Sequence, residues 1–200
     1  MQKKPAHKGH LEIICGPMFS GKSEELIRRL RRATIAQQKT ICFNPGIDTR
    51  TPSHTIASHN GTSIKAITVN NPLDILSLIP ADVTIIGLDE IQFFSHDIVP
   101  VVFELIENGK HVIAAGLNLD FRGVPFNVVP LLLAVADTIT KLSAICVICG
   151  KEAYFSQRII NGQPAKYDDE IVKPGAEEAY QARCRSCHFV DKKPVWQKTL

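Results

Sequence analysis

The chain has 200 residues, 44% apolar and 22% charged, with 23 Lys and Arg against 20 Asp and Glu for a formal charge of +3. That is the composition of a globular protein of one or two domains, and no run approaches the ~18 consecutive apolar residues of a membrane span. A sequence pI of about 8.5 also falls short of the basic balance, above about 9, expected of a nucleic-acid-binding domain.

Met1 to His10 is polar and basic and no apolar stretch follows it, so we expect no signal peptide, a disordered segment over residues 1–10 and a cytoplasmic protein. Leu11 to Cys15 reads as a buried strand. Gly16-Pro17-Met18-Phe19-Ser20-Gly21-Lys22-Ser23 follows directly and completes G-x-x-x-x-G-K-[ST], a phosphate-binding loop. Such a loop works because backbone N–H groups, unhindered at Gly16 and Gly21, converge on phosphate oxygens at the positive end of the next helix. Lys22 is expected to reach the β- and γ-phosphates of a nucleoside triphosphate and Ser23 to ligate Mg²⁺.

Lys22 to about Gln38 has helical composition, with Leu26, Ile27, Leu30, Ala33 and Ile35 as its apolar side. The run Arg28-Arg29-Leu30-Arg31-Arg32 spreads around several helical faces and reads as solvated surface rather than a nucleic-acid patch. Lys39 to Phe43 is a second strand, ended by the turn Asn44-Pro45-Gly46. Residues 47–63 are polar and rich in Thr, Ser and His, the mark of a long functional loop. Asn71-Pro72 opens a helix reaching about Leu78. Val83 to Leu88 is uncharged and rich in β-branched residues, as in a strand buried on both faces. A helix from about Asp97 to Asn108, ended by Gly109, precedes a strand from His111 to Ala115, and Thr138 to Ile145 is the last strand. This alternation predicts an α/β domain over residues 11–145, a P-loop NTPase-type parallel sheet of the doubly wound kind covered by helices.

At Cys146 the composition changes. Cys146-x2-Cys149 and Cys184-x2-Cys187, with 34 residues between the pairs, form a four-thiolate zinc pattern. Four soft thiolates leave no open position, so the zinc is structural and staples a small, loop-rich unit of residues 146–193, followed by a tail of residues 194–200. His188 is an alternative fourth ligand to Cys187, and disulfides or free thiols are the competing reading of the pairs. Cys15 and Cys42 lie in apolar strands and read as core.

Asp89 and Glu90 stand at the C-terminal end of a buried parallel strand, where such sheets bind ligands. Asp89 is placed to hold the Mg²⁺ shell with Ser23, leaving Glu90 for proton transfer. The nucleotide site is thus expected from Gly16 to Ser23 together with Asp89, Glu90, Ile91 and Gln92. A helix cap with a first-turn acid is the plain structural alternative for the Asp89-Glu90 pair.

The phosphate loop, Asp48-Thr49-Arg50, Ser58-His59-Asn60-Gly61, Asp89 to Phe94, Gly116 to Arg122, Thr140-Lys141-Leu142 and the two Cys pairs, in this order, resemble thymidine kinases of the type II, zinc-containing family. The match runs from about Leu11 to Phe189. The resemblance implies transfer of the γ-phosphoryl of ATP to the 5′-hydroxyl of thymidine, with Mg²⁺ as cofactor and Glu90 as general base. It implies that Phe121 packs on the thymine ring and that Ile171, Val172, Lys173, Pro174 and Gly175, with Tyr180, form a lid over the nucleoside. It further puts Arg50 and Arg158 near the phosphates, where a surface ion pair is the alternative for each. A cytosolic homotetramer, feedback inhibition by thymidine triphosphate, and no membrane or nucleic-acid partner complete the implied picture. Asn44 stands where the family often has lysine, Thr51 where an aromatic is usual, and Lys173-Pro174-Gly175 in a stretch normally apolar. A nucleic-acid-dependent ATPase with a zinc ribbon is the second reading, with Asp89-Glu90-Ile91-Gln92 as its water-activating box.

Overall fold

The computed structural model describes residues 8–46, 55–57, 63–171 and 179–191. In chain order its first elements are β1 (His10–Cys15), α1 (Lys22–Ile35), β2 (Thr40–Pro45), β3 (Thr55–Ala57), β4 (Ser63–Lys65), β5 (Ile67–Val69) and α2 (Asp74–Leu78). They are followed by β6 (Ile85–Leu88), a 3-10 turn (Ile91–Phe93), α3 (Ile98–Glu107), β7 (His111–Gly116), α4 (Val129–Val135) and β8 (Thr138–Lys141). The Cys-rich part contributes β9 (Ala144–Ile145), β10 (Glu152–Ala153), β11 (Phe155–Ile160), β12 (Gln163–Pro164) and β13 (Ala179–Arg183).

Six strands form one sheet in the order β5-β2-β6-β7-β1-β8, every pair parallel. Alternate side chains serve opposite faces, as a strand's two-residue period requires. Leu11, Ile13, Cys15, Phe43, Ile86, Leu88, Val112 and Ala114 pack with α3 and α4, whereas Ile14, Cys42, Ile85, Ile113 and Ala115 pack with α1. Each fully buried Leu or Ile contributes about 1.5–3 kcal/mol. Gly87 sets how closely α1 approaches, because a Cβ there would lie 2.7 Å from both Leu30 Cδ1 and Cys42 Sγ.

Leu26, Ile27, Leu30 and Ala33 are buried along α1, but Ile35 is 82% exposed and corrects its placement on the apolar side. Nine residues at ~100° each carry it half a turn from Leu26. Among the basic run, Arg28, Arg31 and Arg32 are exposed, and Arg29 alone turns inward to Glu12, Glu25 and Thr140. Cys15 and Cys42 are core residues as expected.

Thr138 to Ile145 is not one strand. β8 ends at Lys141, Leu142 N–H donates to the Cys15 carbonyl at 2.7 Å, and Ala144–Ile145 instead pairs antiparallel with β10. Within residues 47–63, Thr55–Ala57 is a strand, β3, that pairs antiparallel with β4, while residues 47–54 and 58–62 lie outside the described residues. The short α4 went unseen in the sequence although Pro130 near its start is a helix-opening signal. The Cys-rich part is less loop-rich than its composition suggests, since β12-β11-β13 form a three-stranded antiparallel sheet. Ser156, Gln157 and Arg158 are buried in β11, and three polar residues in succession hide a strand from any hydropathy pattern. Lys8 to His10 are ordered, with Gly9 N–H donating to the Ile106 carbonyl at 2.7 Å, while residues 1–7 and the tail of residues 194–200 lie outside the described residues. Among the described residues no helix is long and apolar enough to cross a membrane.

Candidate active site

The phosphate loop leaves the C-terminal end of β1 and turns into α1 through Gly21, whose φ of 81° is the left-handed region that suits glycine. Gly16 is equally constrained: a Cβ would lie 2.6 Å from the Leu142 carbonyl oxygen and 2.7 Å from Ser20 Oγ. Lys22 Nζ donates to the Pro17 carbonyl at 2.7 Å and Ser20 Oγ donates to the same oxygen at 2.8 Å. The lysine ammonium is therefore held inside the loop, where it adds its charge to the N-terminal end of α1.

Asp89 follows β6, two strands from β1, and is 5% exposed. Its Oδ1 lies 3.4 Å from Ser23 Oγ and accepts from Glu90 N–H at 3.0 Å. Burial, and next the neighbouring Glu90 charge, push the Asp89 carboxyl up to about 7. Glu90 adopts φ 49°, a left-handed conformation that costs a non-glycine residue of order 1 kcal/mol and re-aims its side chain off the strand axis. Gln92, 1% exposed, donates through Nε2 to Glu90 Oε2 and accepts Leu117 N–H at 2.9 Å through Oε1. Gln92 thus spans from Glu90 to the end of β7. Asn127 Nδ2 secures this turn by donating to the carbonyls of Gln92 and Phe94 at 3.0 and 2.8 Å.

A carboxyl shifted upward favours folding less as it ionises. Asp89 is neutral in both folded and unfolded chains below its unfolded value of about 4, and the folded protein loses stability relative to the unfolded one as pH rises from about 4 through 7. In Mg²⁺-free buffer Asp89→Asn is expected to raise the melting temperature by roughly 3–10 °C at pH 8, a gain that disappears near pH 4. Melting curves of both proteins across that pH range check it, and an equal or lower melting temperature for the variant at pH 8 counts against it.

The antiparallel sheet reaches the phosphate loop through β11. Ser156 Oγ accepts Met18 N–H at 2.9 Å. Two residues along, on the same face, the Arg158 guanidinium lies 5.2 Å over the Phe121 ring and donates to the Glu170 carbonyl. Phe121 itself is 3% exposed and clusters with Ala165 and Val190, with Tyr180 and Tyr167 at the margin. The turn presenting it is closed by buried Asp120, which accepts Arg122 N–H at 2.9 Å and Val124 N–H at 3.1 Å.

The four expected thiols converge. Sγ atoms of Cys146, Cys149, Cys184 and Cys187 all lie within 4.8 Å of one another, and none of the six cysteines is in a disulfide. Cys149 Sγ and Cys184 Sγ are 3.6 Å apart, close to the ~3.8 Å edge of a tetrahedron with Zn–S bonds of ~2.3 Å. Crowding separates the thiols. Burial alone would raise Cys146, but backbone N–H groups of Cys184, Ile148 and Cys149 bring it to about 6, while Cys187 is pushed up to about 12, foremost by its bond with Cys184. A thiol raised as far as that of Cys187 ionises at neutral pH only beside a cation, which fits Zn²⁺. His188, the alternative ligand, is engaged elsewhere: its Nε2 pairs with the Phe121 carbonyl at 2.8 Å and its ring stacks on Phe155.

The structure therefore gathers Gly16 to Ser23, Asp89, Glu90, Ile91 and Gln92 at the C-terminal edge of the parallel sheet. Phe121, Arg158 and Tyr180 form a neighbouring group, with Arg158 and Tyr180 directly opposite in the β11–β13 register. Ile171 is partly buried at the end of the described segment. Arg50, with its neighbours Asp48, Thr49 and Thr51, Ser58 to Gly61, and Val172, Lys173, Pro174 and Gly175 lie outside the described residues. Ser156 and Asn127 escaped sequence reasoning because each acts through a contact far away along the chain, whereas Asp120, inside the stretch Gly116 to Arg122, closes its own turn locally.

A family model described as thymidine kinase matches residues 9–188. A thymidine kinase from Coprothermobacter proteolyticus is 52% identical over 187 residues, covering 94% of this chain and 94% of the relative. With its phosphate loop, its carboxylate pair and its four-cysteine cluster all inside the matched span, the chain belongs to the thymidine kinase family.

Proposed function

We infer that the protein transfers the γ-phosphoryl group of ATP to the 5′-hydroxyl of thymidine, giving thymidine monophosphate and ADP. The observation that carries this reading is a complete phosphate loop joined through Ser23 to Asp89, with Glu90 next in the chain and its carboxyl held by Gln92, in a chain of this family. Glu90 takes the 5′-hydroxyl proton as that oxygen bonds to the γ-phosphorus, and the bond from phosphorus to the β–γ bridging oxygen breaks. Lys22 and the loop N–H groups hold the phosphates in line. Phe121 offers its ring to thymine, and Arg158, beside it, faces the developing charge together with Arg50. Ile171 to Gly175 and Tyr180 close over the nucleoside and keep water from the transferring group, so that hydrolysis does not compete.

Ser23 and Asp89 are hard oxygen donors 3.4 Å apart beside the loop, a spacing and chemistry suited to Mg²⁺ directly or through one water. When bound, Mg²⁺ supplies the charge that offsets the β- and γ-phosphate oxygens. A zinc ion on Cys146, Cys149, Cys184 and Cys187 has a structural part only, because no fourth position stays open. We assign to this protein, as to its family by resemblance, a cytoplasmic homotetramer inhibited by thymidine triphosphate. No observation favours the ATPase reading.

The test is transfer of labelled phosphate from ATP, with thymidine, each other deoxynucleoside, and single-stranded DNA without acceptor run in parallel. Label on thymidine is the expected result. Phosphate release that rises with DNA and ignores nucleosides would overturn the assignment.

A further inference from the structure

At the opposite, N-terminal edge of the parallel sheet stands a second group of metal-ligating side chains that the kinase chemistry does not use. His10 and His111 are register partners on adjacent strands β1 and β7, and Glu12 follows two residues on, so all three project from one face. One ligand atom from each lies within 4.8 Å of the others. We propose that His10, Glu12 and His111 form a binding site for a divalent transition-metal ion, separate from the four-cysteine cluster, with two imidazole nitrogens and one carboxylate oxygen as protein ligands.

The surroundings orient each ligand. Arg29 donates to Glu12 Oε2 and leaves Oε1 facing His111 Nε2 at 2.9 Å. Two ligands ~2.1 Å from an ion lie ~3.0 Å apart at a right angle and ~3.4 Å apart at the tetrahedral angle, so this pair is already close to the spacing of a coordination edge. Asp137 Oδ2 sits 3.5 Å from His10 Nδ1 and also accepts Leu11 N–H at 2.8 Å. A carboxylate on one imidazole nitrogen fixes the tautomer that offers the other, here Nε2, which now pairs with Thr138 Oγ1 at 3.0 Å and needs only to swing from it. The Arg29 charge is answered by Glu25, whose Oε1 accepts from Nε at 2.8 Å, as well as by Glu12. A cleft of roughly 380 Å³ bordered by Glu12, His111 and Gln38, with Arg29 and Arg32 also on its wall, gives room for water ligands. Two imidazoles and one carboxylate are a donor set for Zn²⁺, Ni²⁺ or Cu²⁺ rather than for Mg²⁺. An ion here joins β1 to β7 without touching the phosphate loop, which lies at the other end of β1.

The experiment uses the full chain carrying zinc on its cysteines, titrated with further Zn²⁺ by calorimetry at pH 7.5 and melted with and without it. Expected are a second equivalent of bound zinc and a higher melting temperature, with His111→Gln and His10→Gln each weakening that equivalent by tenfold or more. Kinase activity with Mg²⁺ but no added Zn²⁺ stays unchanged in both variants, which shows that they fold. Co²⁺ placed in the second site should absorb without the thiolate charge-transfer band of the cysteine cluster. Absence of a second equivalent, or a second equivalent equally strong in both variants, would overturn the site. Loss of thymidine phosphorylation in the wild type would bear on the proposed function and leave this measurement untouched.

Discussion

Glu90→Gln lowers kcat for thymidine phosphorylation by roughly 10²–10⁴ and leaves ATP affinity within a factor of about two. The substitution keeps the size of the side chain and removes its charge and its capacity to take a proton. The backbone that aims it is held independently, by Glu90 N–H on Asp89 and by Asn127 on the carbonyls of Gln92 and Phe94. Lys22 keeps its bond to the Pro17 carbonyl and Ser23 its contact with Asp89, and these together with the loop N–H groups are what grip the triphosphate. A carboxamide at this position still meets Gln92, with its oxygen accepting from Nε2. Initial rates at saturating ATP and thymidine, beside direct titration of ATP, separate the two effects. Turnover within tenfold of wild type would remove Glu90 as the base, and a parallel loss of ATP binding would make its part structural.

Much of this site was legible because its signals are local. The phosphate loop needs Gly16 for close approach and Gly21 for a positive φ, and both needs are written into eight consecutive residues. β6 is a continuous apolar run, and β1 from Ile13 and β7 from Val112 are apolar toward the site, as strands covered on both faces must be. The C-x2-C pairs state their own geometry. What escaped was decided at long range. Ser156 meets Met18 across 138 residues, and His188 meets Phe121 across 67. No periodicity signals such contacts. β11 was hidden for a related reason: its buried positions hold Ser156, Gln157 and Arg158, which bond to Met18, Phe189 and Glu170, where an ordinary core strand would carry valine or isoleucine. Ile35 shows the opposite failure, an apolar residue assigned by type although the helical angle turns it to solvent.

Cys184→Ala, or zinc removal by a strong chelator, abolishes thymidine phosphorylation while the parallel sheet persists. The cluster around the thiols is built from Ala144, Cys146, Ala153, Ala182 and Cys184, with no large apolar side chain, so burial alone cannot hold it. Binding of structural zinc, on the order of 10–16 kcal/mol in small zinc domains, is of the size needed to fold this part. The consequences run outward along the chain from each cysteine pair. Cys184 directly follows β13, which pairs with β11 from Phe155 to Ile159 and so fixes Ser156 against the phosphate loop and Arg158 over Phe121. Cys187 is followed by His188, which holds the Phe121 carbonyl, and by Phe189, whose N–H donates to Gln157 Oε1 at 2.8 Å. Loss of the metal therefore removes the thymidine side of the site from two directions, whereas β1, β6 and β7 keep their own cores above and below the sheet. Hydrogen exchange should show protection lost at residues 144–160 and 179–191 and kept in β1, β6 and β7, with activity down by a hundredfold or more and restored by Zn²⁺ only in the wild type. Full activity in metal-free protein would mean that the thiols pack without an ion. Uniform loss of protection would instead make the zinc unit part of one cooperative fold with the nucleotide domain.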